Sequence, residues 1–398
     1  MSDLNLFIVL YPVIAVISII GIIKNKEKVA YFSSALILIL VSMFRFDFQY
    51  DYFWYWIIGD KSLEKNIVVA RLYNNLEYGV ARLYDIVREL GHPQYFFGIT
   101  ALVIIGLITY TFYRDSKNPL ISLTLFLLIP MGFIENNHII MQALAGSIVF
   151  FSTQYIYQKK ILKFIFIVLV VSFLFHSSAI ICLSFIFIPK KDKKIGYLIF
   201  ITIIIGLILK YLFPMIIYRY FSEYYYLLYG IKYLKNSNLY NLKILGLFLI
   251  IIIFTERMKL KNIFNKNFKL SGYEIYQKNI FVYGYLGSLL IYYVFEGDLS
   301  RRIGFYFYYF AFLVAGNYIS KVDKKILKMI KIVIIVLCLG QEFTKIYSAD
   351  LIFLNKSPYI TKDKILMARP NSYGLRLFFG KKYSDMSSYL PGERKFKR

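Results

Sequence analysis

Apolar runs long enough to cross a bilayer recur from one end of this chain to the other, and short Lys/Arg clusters separate them. A helix of about 20 apolar residues matches the hydrocarbon thickness of a membrane. Only helices and closed barrels satisfy their backbone groups in lipid, and runs of this length are helical. With 59% hydrophobic residues among 398, a single soluble core does not account for the pattern. The expected class is an all-α polytopic membrane protein. The formal net charge of +25 sits mostly in clusters between apolar runs. That is the distribution of the positive-inside rule, not a nucleic-acid footprint.

The clusters set an expected topology. Leu4 to Ile23 has no basic n-region and no clear small-residue cleavage site, so it reads as a retained first span. Lys24-Asn-Lys-Glu-Lys28 is then cytoplasmic, and the second span runs outward from Ala30. Further cytoplasmic clusters are Arg114 to Lys117, Gln158 to Lys160, Lys190 to Lys194, Glu256 to Lys278 and Lys321 to Lys325. About 12 spans result, some short or re-entrant, within one domain of residues 1–347. Two large outer-face segments, 45–93 and 214–241, interrupt it, and 348–398 is a basic tail on the same side. The run Leu162 to Ile188 lies between two basic clusters. Either it goes out and returns, turning at Phe175-His176-Ser177-Ser178, or it is one long tilted span that violates the charge rule. In the first case each half is about 20 Å long, short of the roughly 30 Å core, and His176 belongs in a cavity.

This topology gathers the unusual polar residues on the outer face: Arg45, Asp47, Asp51, Glu77, His138, Gln142, His176, Arg219, Arg301 and Arg302. Polar groups near membrane depth are costly, which makes function the default reading. In Arg45 to Tyr52, polar and aromatic residues alternate strictly. If extended, all four polar groups share a face; if helical, Asp47 and Asp51 still do. The plain alternative is an aromatic belt with solvated charges. Arginines stranded outside, against the charge rule, suit a bound pyrophosphate, whose oxygens they match bidentately. The tyrosine-rich segment Tyr218 to Asn241 offers flat faces for sugar rings, with interfacial anchoring as the alternative. His92, beside Pro93, reads as a turn residue.

Several classes are excluded or disfavoured. The chain has no Gly-rich phosphate loop, no His-Glu-x-x-His and no nucleophile elbow. Nothing suggests a cytoplasmic nucleotide site. Cys182 and Cys338 lie in apolar runs and indicate neither a disulfide framework nor a thiol site.

These same residues carry a resemblance to the EpsG-type family of bacterial polysaccharide polymerases, the Wzy-like enzymes. The motifs are Arg45 with Asp51-Tyr52, Glu77-Tyr78-Gly79, Asn137 to Ala145, and Lys163-Phe164 with Phe175-His176-Ser177-Ser178-Ala179. Arg301 or Arg302 before an aromatic late span and Pro358-Tyr359 complete the series, from Tyr11 to about Thr361. One departure stands out: Met141 precedes Gln142 where the family has arginine. No arginine role is carried to that position: either the role is vacant here, or it has moved to His138, one turn earlier.

The resemblance implies a membrane glycosyltransferase, of GT-C-like architecture. It would transfer a glycan from undecaprenyl pyrophosphate to the next lipid-linked repeat unit, building an O-antigen, capsule or exopolysaccharide at the outer face of the plasma membrane. Displacement at an anomeric carbon needs a base for the acceptor hydroxyl and cations for the departing charge. Asp51 or His176 is the expected base. Arg45, Arg301 and Arg302 are expected on pyrophosphate, and Asp47, Tyr52, Glu77, His138, Gln142 and Arg219 around the glycan. No cofactor and no metal are expected, since pyrophosphate already leaves well, although Asp47 and Asp51 together are able to hold a cation. The expected partners are undecaprenyl-pyrophosphate-linked oligosaccharides, membrane lipid, a chain-length regulator and a flippase, with no nucleic acid. Two rivals remain: a lipid-linked oligosaccharide flippase, whose cavity reaches both sides, and a non-catalytic membrane subunit.

Overall fold

The computed structural model describes residues 6–46, 49–129, 132–192, 195–220, 246, 249–250, 270–295, 299–320, 327–337, 339–340 and 376–377. These are almost wholly helical. Helix α1 is Leu6–Ile23 and α2 is Glu27–Met43. A two-residue strand, Arg45–Phe46, pairs antiparallel with Arg376–Leu377. That pairing brings two residues of the tail onto the Arg45 segment.

Three helices follow: α3 (Gln49–Gly59), α4 (Ile67–Asn74) and α5 (Tyr78–Glu89). The segment between the second and third apolar runs thus carries three helices. Gly91, at φ +80, turns the chain out of α5. Helix α6, Gln94–Asp115, starts where His92 Nδ1 accepts the Gln94 N–H at 3.1 Å. His92 is the turn residue its sequence context indicated. Burial holds its pKa below the ordinary value.

The apolar run that begins at Pro119 is broken. Pro119 opens α7 (Pro119–Leu128), and Asn118 accepts the Ile121 N–H at 3.4 Å. Ile129 then turns extended, at φ −101 and ψ 125, as a residue before proline prefers. A short α8 (Phe133–His138) precedes α9 (Ile140–Ser152) and α10 (Gln154–Tyr157).

The run from Leu162 goes out and comes back. Helix α11 (Ile161–Leu174) packs against an eleven-residue 3₁₀ segment, Ser177–Phe187, with His176 at the turn. At 1.5 and 2.0 Å per residue both halves are about 21–22 Å long. Lys190 Nζ donates to the Ile156 carbonyl at 2.9 Å, so both basic clusters lie at one end. The single tilted span is therefore ruled out as the arrangement. A 3₁₀ run this long is uncommon and marks a functional or strained element. Beyond it come α12 (Ile195–Tyr220), α13 (Gly272–Phe295), α14 (Leu299–Ile319) and a helix over 327–337.

The core sits around α7 and α14. Leu120 to Leu128 and Phe305 to Ala315 are buried on every side, as expected for helices apolar all round. The peripheral helices do the reverse. They leave large apolar side chains exposed at helical spacing: Val9, Val13, Val16 and Ile20 on α1; Leu162, Phe166, Leu169 and Phe173 on α11. Such stripes are costly in water and natural in lipid. Among the described residues, Gln94–Asp115 alone is both long and apolar enough to cross a membrane by length and composition. The shorter apolar helices include Pro119–Leu128, Ile161–Leu174 and Ser177–Phe187.

Helix α6, about 33 Å long, divides the molecule into two ends. At its start, Gln94 Nε2 donates to the Met43 and Arg45 carbonyls at 2.5 and 3.2 Å. At its finish, Arg114 pairs with Asp115 at 2.6 Å, and Tyr273 donates to Asp115 at 3.0 Å. Lys278–Asp192 (2.5 Å) and Lys331–Glu27 (2.7 Å) belong to this lysine-rich end.

Candidate functional site

The site lies at the other end, where α3, α5, α8, α9, the His176 turn and α14 converge. Its first half rests on α3. The backbone is extended at Arg45–Phe46 and helical from Gln49, so neither uniform geometry holds across the stretch. Arg45 and Asp51 therefore do not share one face. Asp51 instead faces α8: His138 Nε2 is 3.3 Å from Asp51 Oδ2, with the two side chains 20% and 33% exposed. One turn further, Tyr55 lies against the first turn of α9, at Ile140 and Met141.

Arg45 is buried. Its Nη1 donates to the Ser42 carbonyl at 2.6 Å and its guanidinium lies over the Phe97 ring at 4.9 Å. Tyr52 is also buried, stacks on Phe97 at 4.3 Å and reaches Gln94 Oε1 at 3.4 Å. Both residues hold the corner between α2, α3 and α6, and neither presents a free face to an open cleft. Asp47 lies outside the described residues. Of the other arginines, Arg219 is on α12 and Arg301 on the first turn of α14.

The second half is built on the His176 turn. Gly79 makes it possible. A Cβ at position 79 would stand 2.7 Å from the Leu174 carbonyl oxygen, so only glycine lets the start of α5 lie against the end of α11. Glu77 precedes α5 in extended conformation, and its Oε1 accepts the Ser177 N–H at 3.4 Å. The Glu-x-Gly motif thereby acquires a packing reason. His176 Nδ1 meets the Ser178 N–H at 3.3 Å and the Ser178 hydroxyl at 2.6 Å. Ser178 Oγ is 2.8 Å from the Tyr306 hydroxyl on α14. Gln142 Nε2 donates to the Arg302 carbonyl and lies beside Tyr306. Arg302 itself is exposed. The charges of Glu77 and Arg302 both act on His176, in opposite senses.

The α8–α9 corner joins the halves. Asn136 and Asn137 donate to the carbonyls of Gly132 and Phe133, each at 2.8 Å, tying α8 to itself. Tyr309 on α14 donates to Asn136 Oδ1 at 2.6 Å. His138 ends this corner beside Asp51, and Gln142 follows one turn later beside Tyr306. So Asp51, Glu77, His138, Gln142, His176 and Arg302 are assembled, whereas Arg45 and Tyr52 lie beneath. Sequence reasoning missed Tyr55, Tyr306 and Tyr309 as members. They sit in aromatic runs where nothing distinguishes them from lipid-facing or core tyrosines. Ser178 was visible only as part of a motif.

Chemically, the assembly offers a carboxylate–imidazole pair, a second imidazole with fixed partners, and a cationic side chain at the rim. Among the described residues, no three His, Cys, Asp or Glu side chains form a cluster able to hold a metal ion.

No curated protein and no solved structure matches the chain. The family comparison does: the EpsG family model matches residues 6–361, nearly the whole chain. With its helical bundle and lipid-type outer faces, this membrane protein belongs to the EpsG family, a Wzy-like family of polysaccharide polymerases.

Proposed function

We propose that this protein polymerises lipid-pyrophosphate-linked oligosaccharide repeat units into a surface polysaccharide, at the outer face of the bacterial plasma membrane. The observation that carries the reading is the convergence of Asp51–His138 and Glu77–His176–Arg302 at the bundle end opposite the lysine clusters. By the positive-inside rule the lysine-rich end is cytoplasmic, which leaves the site outside. About 12 spans and a GT-C-like architecture fit this topology, and the His176 hairpin accounts for two of the short ones.

In this reading Asp51 takes the proton of the acceptor hydroxyl, helped by His138, which orients the carboxylate. The acceptor oxygen bonds the anomeric carbon, the bond from that carbon to the pyrophosphate oxygen breaks, and its electron pair leaves with pyrophosphate. Arg302, with Arg301, stands against that charge, and bidentate guanidinium–phosphate bonds suit the role. Buried Arg45 adds a fixed positive charge under the corner. Glu77, Gln142 and the corner around His138 border the glycan. A flippase and a chain-length regulator are the expected neighbours in such a pathway.

The test is a strain lacking this protein. The reading expects single lipid-linked repeat units accumulating on the outer side of the membrane. Units trapped on the cytoplasmic side would indicate a flippase instead.

A further inference from the structure

The polar chain ending at His176 has a fixed direction, because a backbone group stands at its end. The Ser178 N–H is a donor only, and it meets His176 Nδ1 at 3.3 Å. Nδ1 must then carry its lone pair outward, unprotonated. Ser178 Oγ, 2.6 Å from that same nitrogen, donates to it as well. Having spent its proton there, Ser178 Oγ accepts from the Tyr306 hydroxyl at 2.8 Å. Every bond runs one way: Tyr306 to Ser178 to His176. Chains aligned in this manner polarise one another.

One consequence is chemical. A neutral imidazole that accepts at Nδ1 has its proton on Nε2. Nε2 is then a donor and has no lone pair with which to remove a proton.

We infer that His176 serves as a hydrogen-bond donor through Nε2–H to the departing phosphate oxygen, with Tyr306 and Ser178 as positioning residues that reinforce this tautomer. The inference rests on the polymerase reading and narrows it: Asp51 is left as the base and His176 is removed from that role. Two charged groups act on His176, the Glu77 carboxylate and Arg302, and neither alters the assignment. The neutral Tyr306 completes the set.

The experiment has one arm independent of activity. The chain contains three histidines, so ¹⁵N-histidine spectra of the full protein in lipid vesicles are assignable by losing one signal set in His176→Gln. The expected spectrum at neutral pH shows His176 protonated on Nε2 alone, with the Nδ1 signal shifted in Ser178→Ala, where the backbone N–H still holds the tautomer and the hydroxyl bond is lost. A wild-type His176 protonated on Nδ1 overturns the tautomer, and an unchanged spectrum in Ser178→Ala overturns the relay. The second arm is polymerisation. A carboxamide donates but is no base, so His176→Gln should lose far less than His176→Ala, which should fall about 10²–10³-fold as for a lost oxyanion donor. Equal loss in the two variants, at equal protein level, overturns the donor role. Failure of the wild-type protein to polymerise would strike the polymerase reading while leaving the spectral result standing.

Discussion

His138 Nε2 stands 3.3 Å from Asp51 Oδ2, joining the helix after the second span to the short helix that precedes α9. The pair gives Asp51 a partner that orients its carboxylate. Asp51→Asn, nearly isosteric, removes the base and keeps the shape. Polymerisation should fall about 10²–10⁴-fold while the protein accumulates normally. His138→Gln should reduce the rate less, because the amide still orients Asp51. Polysaccharide ladders from a complemented deletion strain, with a membrane blot, measure both.

Gly79→Ala places a methyl group where the Leu174 carbonyl already sits. Helix α5 must move off α11, taking Glu77 away from the His176 turn. Overpacking of this kind costs about 1–3 kcal/mol. The expected outcome is a lower thermal midpoint in detergent together with shortened polymer, read from melting curves and ladders. Leu174 accepts through its backbone, so no side-chain trimming at 174 should rescue the variant.

Arg301→Lys and Arg302→Lys keep the charge and lose the planar fork. If a phosphate group is bound bidentately, the lysine variants should still be impaired. Full ladder length from the double alanine variant would reduce both residues to interface anchors.

Cysteine labelling of intact cells tests the sidedness. Asn75→Cys and Ser177→Cys should react with small impermeant thiol reagents, and Lys160→Cys and Lys190→Cys should not. Ser177 is exposed at the hairpin turn, which makes it the sharper probe. An inert 177 beside a reactive 190 would contradict the topology.

Much of this organisation was legible in the sequence, and for physical reasons. Apolar length and proline position located the starts of α6 and α7, and paired lysine clusters offered the hairpin at His176 as one of two readings. Hydropathy and charge are local signals, and those features depend on them. The corner at Arg45 was less legible. Strict alternation suggested one geometry for the whole stretch, but the chain is extended at Arg45 and helical from Gln49, which sends Asp51 to His138. Arg45 reads as an exposed phosphate ligand until Phe97 and Ser42 are seen to bury it. Tyr306 could not be singled out at all. It lies within Phe305 to Phe310, an unbroken aromatic run, and only the approach of Ser178 from another helix distinguishes it. Asp47, the side chains of Arg219 and Arg301, residues 221–241 and nearly all of the tail lie outside the described residues and stand as expectations from sequence.

The most direct measurement uses purified protein in lipid vesicles, supplied with a single lipid-pyrophosphate-linked repeat unit and no nucleotide. Wild-type protein should convert the unit into a ladder of lipid-linked polymer, and Asp51→Asn should leave it as one unit. A ladder from Asp51→Asn equal to that of the wild type, at equal protein in the vesicles, would contradict the account.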